Sequence, residues 1–269
     1  MIGCFIVAGA ALAWFIVAEL RNPAPLLQIR LLAERNFGIS MAVLTLFAIG
    51  MLGGTYLLPL YMQRGLGYTA LAAGSMFLPV GVIQGVLSAV SGYLTRYVRP
   101  LLLSAAGILI MALSFWLASR FTLHTTHGHI LFILYLRGFG MGLTFAPLNL
   151  FSLKNLTQQD MAAAAGISNS IKQLAGSIGI ALLTVIFSAR TSYHAAHETV
   201  SAAQTYVEGV TDALRVVAVI TLAALLPLLG VFRKKRPGKS GVKGAATPSP
   251  GEAVSGKTDK TTIYRTKPE

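Results

Sequence analysis

Ionised side chains are what this sequence has least of. Asp, Glu, Lys and Arg make up 12% of its 269 residues, against about 25% in an ordinary soluble domain. Most of the chain must lie where charge is costly to keep, which excludes a conventional water-soluble globule. Acids are scarcer than bases, with 9 Asp and Glu against 22 Lys and Arg. The single cysteine, Cys4, excludes an internal disulfide framework. His-Glu-x-x-His, Gly-x-Ser-x-Gly and a phosphate-binding loop are all missing, so no enzyme and no cofactor are expected. The net charge of +13 would suit nucleic acid if it formed a patch, but 10 of the 22 basic residues follow Val231 in a polar tail. A nucleic-acid partner is not expected on that distribution.

What the sequence has in abundance is apolar length. Hydrophobic residues reach 54% and the mean hydropathy is +0.66. Seven apolar segments occur, at approximately 2–18, 38–61, 75–95, 101–119, 130–151, 166–188 and 213–232. A helix needs about 20 residues to cross a bilayer core, and strands of this length without alternation are excluded. Residues 2–18 lack the basic start and cleavage site of a signal peptide and read as a span. The fold class expected is an all-α membrane protein with seven transmembrane helices.

Basic residues orient it. With the first span running inward, Arg21, Arg30, Arg35, Arg96, Arg99, Lys154 and Lys172 fall at the inner side, as does the tail from Arg233. The outer loops hold Arg64, Arg120 and Arg190, and the opposite topology would violate the positive-inside rule. The carboxy terminus is expected in the cytoplasm.

The spans differ in kind. Those at 101–119 and 213–232 are almost uniformly apolar, as expected of helices that face lipid. Gly81, Gln84, Gly85, Ser88 and Gly92 share one helical face, as do Gly166, Asn169, Gln173, Gly176 and Thr184. Small residues favour close helix packing, whereas for Gln84, Asn169 and Gln173 packing and the lining of a wet cavity are both open.

Local motifs then become specific. Leu57-Leu58-Pro59-Leu60-Tyr61-Met62-Gln63, followed by Gly67-Tyr68-Thr69-Ala70-Leu71-Ala72-Ala73-Gly74 and Leu78-Pro79, resembles a helix–turn–helix of the major facilitator superfamily. The branch it resembles is the fourteen-helix drug/proton antiporters of the EmrB/QacA type. Arg137-Gly138-Phe139-Gly140-Met141-Gly142, with Pro147 beyond, and the stretch from Gly166 through Gly176 and Gly179 to Leu182 resemble two later helices of that family.

The resemblance covers residues 1–232 and implies a division of the chain. Residues 1–37 would be an extra central helix and linker, 38–232 the six-helix carboxy-terminal transporter half, and 233–269 a disordered basic tail. It implies export of small amphipathic or drug-like compounds across a bacterial inner membrane. The implied partners are the lipid bilayer, an amino-terminal transporter half, the substrate and a periplasmic adaptor protein. Pro59, Pro79, Gly138, Gly142, Gly176 and Gly179 are then packing or hinge positions, and Arg137, Gln84, Asn169 and Gln173 line the substrate path.

Two departures from the family pattern stand out. The cytoplasmic motif survives only as Gly92-Tyr93-Leu94-Thr95-Arg96-Tyr97-Val98-Arg99, without its acid, and Lys172 stands where relatives commonly carry arginine. No Asp or Glu lies near the centre of a span, so proton-coupled export by this chain alone is not expected. An inert or interfering remnant and a non-transporting seven-span receptor remain as alternatives.

Arg137 is expected either to contact substrate or to snorkel outward and pair with carbonyls or the other half. The histidines His124, His127, His129, His194 and His197 are expected in solvated outer loops, with no metal site. Residues 190–212 read as such a loop, with an amphipathic surface helix as the other reading.

Overall fold

The computed structural model describes residues 14, 29–154, 156–158, 160–197 and 201–234. The expected first span at 2–18 lies outside them apart from Trp14, and the tail beyond Lys234 lies wholly outside. Among the described residues there is helix but no strand, and six helices are long and apolar enough to cross a membrane.

Helix α1 spans Arg35–Leu60 and is started by Glu34, whose carboxylate accepts the Phe37 N–H at 2.8 Å. An acid there satisfies an orphan donor and favours the positive end of the helix dipole. Near its other end Pro59 has no N–H to give back to the preceding turn, and the chain continues as a π-turn, Tyr61–Gly65. Tyr61 fixes that turn: its hydroxyl donates to the Thr122 carbonyl at 2.7 Å and its ring stacks on Phe121 at 4.9 Å. The return begins at Gly67, whose φ of 72° suits only a residue without a Cβ. Thr69 then caps the short helix α2, Ala70–Ser75, before α3, Leu78–Leu94, opens with Pro79 in its first turn. Proline is harmless there because that N–H has no helical acceptor.

The remaining helices are α4 (Pro100–Ala118), α5 (His127–Leu153), α6 (Met161–His197), α7 (Ala202–Ala223) and α8 (Leu225–Lys234). The membrane-length helices pack as two triplets, α1, α3 and α4 against α5, α6 and α7, related by exchange. The α1–α6 contact has its counterpart in α5–α3, and α1–α7 in α5–α4. The two first helices, α1 and α5, also meet, as do the two third helices, α4 and α7. Such exchange is what a repeated three-helix unit produces.

Glycine sets the tightest seam. A Cβ on Gly107 of α4 would stand 2.8 Å from the Gly140 carbonyl of α5, and one on Gly140 would stand 2.9 Å from the Met111 nitrogen. The two backbones therefore touch, and Ser104 reaches across to the Thr144 carbonyl at 3.4 Å. In a bilayer such close approach replaces the hydrophobic drive that lipid cannot supply.

One expectation is corrected. Residues 190–197 and 202–212 are helix and not loop: α6 runs on to His197 and α7 starts at Ala202, so the last membrane helix begins eleven residues before the expected 213. Hydropathy ends where Arg190, His194, Glu208 and Asp212 appear, but these charges pair with one another and let the helices continue. The uniformly apolar helices expose an outward face, with Leu109, Leu113 and Trp116 of α4 and Val219 and Leu222 of α7, but they are not the most exposed. Buried residues make up 56% of the apolar stretch of Pro100–Ala118 and 50% of that of Ala203–Leu228, against 17% in Ala70–Leu94 and 22% in Met161–Ala196. A bundle interior is as apolar as lipid, so uniform apolarity cannot tell the two surroundings apart.

Candidate functional site

Arg137 sits at the junction of α1, α4 and α5 and is only 2% exposed. It lies ten residues beyond the start of α5, about 15 Å along the axis. One guanidinium nitrogen, Nη2, donates to the Met51 carbonyl at 2.9 Å and to the Thr55 hydroxyl. The Thr55 hydroxyl in turn donates to the same carbonyl at 2.6 Å. The guanidinium carbon lies 5.4 Å from the centre of the Phe115 ring. Nε and Nη1 are buried without a partner among the described residues. The side chain reaches across to α1. Pairing with a carbonyl does occur.

A cleft of about 340 Å³ opens between α1, α5 and α6. Phe145, Asn149 and Ser152 of α5 face Ser168, Asn169 and Lys172 of α6 across it. The volume falls in the usual range for a small-molecule site, roughly 300–1,000 Å³. Lys172 Nζ stands 5.9 Å from the Phe145 ring centre, and the Ser168 hydroxyl donates to its own helix at Ala164, 2.7 Å away. Ser152 Oγ is buried with no partner among the described residues. A second cleft of about 290 Å³ between α4 and α7 is lined only by apolar residues, including Trp116 and Leu222, and offers nothing to orient a ligand.

The four expected substrate-path residues are therefore not gathered in one place. Asn169 lines the cleft; Gln173 is exposed one residue beyond Lys172; Gln84 is half-buried on α3; Arg137 is enclosed elsewhere. Sequence reasoning missed Asn149 and Ser152, although both follow Pro147 on the face that continues from Phe145. It noted Lys172 only for its charge.

The packing positions also separate. A Cβ on Gly138 would meet the Val80 carbonyl at 3.1 Å, on Gly142 the Gln84 carbonyl at 3.0 Å, and on Gly179 the Ile49 carbonyl at 2.7 Å. Gly176 lies against Leu52. By contrast Gly81, Gly85, Gly92 and Gly166 face open space, so those glycines pack nothing among the described residues.

At the α3–α4 turn, Arg96 lies over the Tyr93 ring at 5.6 Å and Arg99 precedes α4, both exposed. Neither meets a carboxylate among the described residues. The hydrogen bond with Tyr93 pushes the Tyr97 phenol above its ordinary value, with desolvation adding less. At the opposite end, Asp212 accepts from Arg215 at 2.9 Å and lies 3.2 Å from His194 Nε2, while Glu208 is 3.5 Å from His194 Nδ1. Among the described residues no group of His, Cys, Asp and Glu is placed to hold a metal ion.

Six membrane-length helices, packed among the described residues as two exchanged triplets, define a polytopic membrane protein. The profile of the Major Facilitator Superfamily matches residues 1–180, and the chain belongs to that family. It is 32% identical over 197 residues to the multidrug export protein EmrB of Escherichia coli. It is 30% identical over 189 residues both to the fatty acid resistance protein FarB of Neisseria gonorrhoeae and to the uncharacterized MFS-type transporter YhcA of Bacillus subtilis. These matches cover 73%, 70% and 70% of this chain but only 38%, 37% and 36% of the relatives. The chain thus spans under two fifths of the length of these three relatives.

Proposed function

We infer that this chain is the carboxy-terminal half of a proton-coupled exporter of small amphipathic compounds, completed by an amino-terminal half that docks on α3 and α6. The observation that carries the reading is the lack of cover on those two helices. Leu78, Val82, Val86 and Val90 project from α3 at 51–72% exposure, and Leu174, Ile178, Leu182 and Val185 from α6 at 44–67%. Gly81, Gly85 and Gly166 stand open among them, as small residues do where another helix is to approach. The size of the relatives and the names multidrug export and fatty acid resistance support the same reading.

Proton coupling is assigned to the other half. Among the described residues, Glu34 and Asp160 precede helices, and Glu208 and Asp212 sit where α6 and α7 pair beyond the apolar stretch. None offers a relay at mid-depth, which membrane proton transfer requires. Residues 1–37 and the basic tail keep the roles expected from the sequence, with the carboxy terminus in the cytoplasm of a bacterial inner membrane.

Cysteine cross-linking tests the docking. With Cys4 replaced by Ser, Val86→Cys and Ile178→Cys should each form a disulfide with a cysteine scanned along an amino-terminal half supplied in trans. Equal labelling of both positions by a lipid-phase maleimide, with and without that half, would remove the proposal.

A further inference from the structure

We propose that the α1–α5–α6 cleft is an anion subsite that takes the carboxylate of an amphipathic weak acid, with Lys172 as its counter-charge. This rests on the transport reading for its purpose, but on the geometry of this chain for its chemistry.

Among the described residues Lys172 is the only charged side chain on the cleft. It lies eleven residues into α6, about 16 Å from the helix start and just inside the inner end of the apolar stretch that begins near Gly166. An ammonium at that depth needs an opposite charge, a dipole or water. The Phe145 face at 5.9 Å is a weak substitute for a carboxylate, and no acid among the described residues comes within ion-pair distance. The acids at that end are engaged elsewhere: Glu34 accepts from Phe37, and Asp160 accepts from Thr157 at 2.6 Å.

The groups around Lys172 extend the same preference. Asn149 and Asn169 can each offer an amide N–H, and both are exposed to the cleft. Ser152 supplies a hydroxyl that is 1% exposed and has no partner, which native proteins rarely leave without a bound group. One cation and three neutral donors surround the polar end, and Leu44, Phe145 and Leu153 supply an apolar wall. A hydrophobic cation would meet a like charge in a low-dielectric setting and lose affinity. An amphipathic carboxylate satisfies the ammonium and the orphan hydroxyl together.

The test is equilibrium dialysis of radiolabelled decanoate against the full chain in phosphatidylcholine nanodiscs, with empty discs as background. Decyltrimethylammonium and decanol serve as matched cationic and neutral probes. Decanoate should bind saturably and at least about tenfold more tightly than the cation. Lys172→Met should weaken it by roughly tenfold or more, the usual consequence of losing one charge-assisted bond. Lys172→Arg should stay within about threefold, since the charge is kept. Lys172→Gln provides a second neutral variant should the Met form lose its helical circular dichroism.

No saturable binding to the wild-type chain, unchanged decanoate affinity in both neutral variants, or equal binding of the cation would each overturn the proposal. Loss of decanoate binding on adding phosphatidylglycerol would identify a lipid phosphate as the occupant and overturn the free-acid assignment. Binding that persists while a reconstituted two-half assembly fails to export would instead strike the transport reading and leave the subsite standing.

Discussion

Replacing Arg137 by methionine should separate stability from function. The substitution removes two hydrogen bonds, to the Met51 carbonyl and the Thr55 hydroxyl, and one contact with the Phe115 ring. Inside membrane bundles an interhelical hydrogen bond averages about 0.6 kcal/mol, and a desolvated cation–π contact reaches about 2 kcal/mol. The loss is thus on the order of 3 kcal/mol. Against it stands the guanidinium itself, buried with Nε and Nη1 unpartnered. Exchanging a buried ionic group for an apolar one of similar volume typically returns about 1–4 kcal/mol. The sum lies near zero, so Arg137→Met should unfold within about 1 kcal/mol of the wild type in SDS titrations followed by circular dichroism. Arg137→Ala adds a cavity and should fall lower by about 2–5 kcal/mol. In the two-half assembly Arg137→Met should nevertheless lose export, because the guanidinium is retained there at no gain in stability. A methionine variant destabilised by more than about 3 kcal/mol would refute this reasoning and make Arg137 a structural staple.

Other substitutions probe the rest of the account. Gly140→Val drives three extra carbons against the backbone of α4 at Gly107 and Met111 and should cost at least about 1–3 kcal/mol, read in the same titration. Gly85→Ala meets nothing within 4 Å and should leave the stability of the chain unchanged while lowering its cross-linking yield with an amino-terminal half. Tyr61→Phe removes the bond to the Thr122 carbonyl and should cost about 1 kcal/mol without altering helix content. Asp212→Asn loosens the mostly buried pair with His194 and the more exposed pair with Arg215 and should cost on the order of 1 kcal/mol, the Arg215 part shrinking in high salt.

Among the described residues, helix existence was legible in the sequence because each of the six apolar runs from 38 onward is long enough to span and too long for a strand. The fold class and the family followed from those runs and from motifs such as Arg137-Gly138-x-Gly140-x-Gly142. Helix ends were less legible. Arg190, His194, Glu208 and Asp212 look like loop residues one at a time, and only their pairing across α6 and α7 shows why the helices continue. The site was legible only in part. Asn169 could be picked by its face, but Asn149 and Ser152 come from another helix, and their meeting with Lys172 is set by how α5 and α6 pack. Arg137 was conspicuous by its charge, yet its partner Met51 lies 86 residues away and offers a backbone carbonyl, which no sequence pattern marks.

The most direct test of the central claim is dye export from cells that express this chain alone and cells that also express an amino-terminal half from a related antiporter. The account predicts no uncoupler-sensitive efflux from the chain alone and measurable efflux from the pair. Robust uncoupler-sensitive efflux from the chain alone would contradict it.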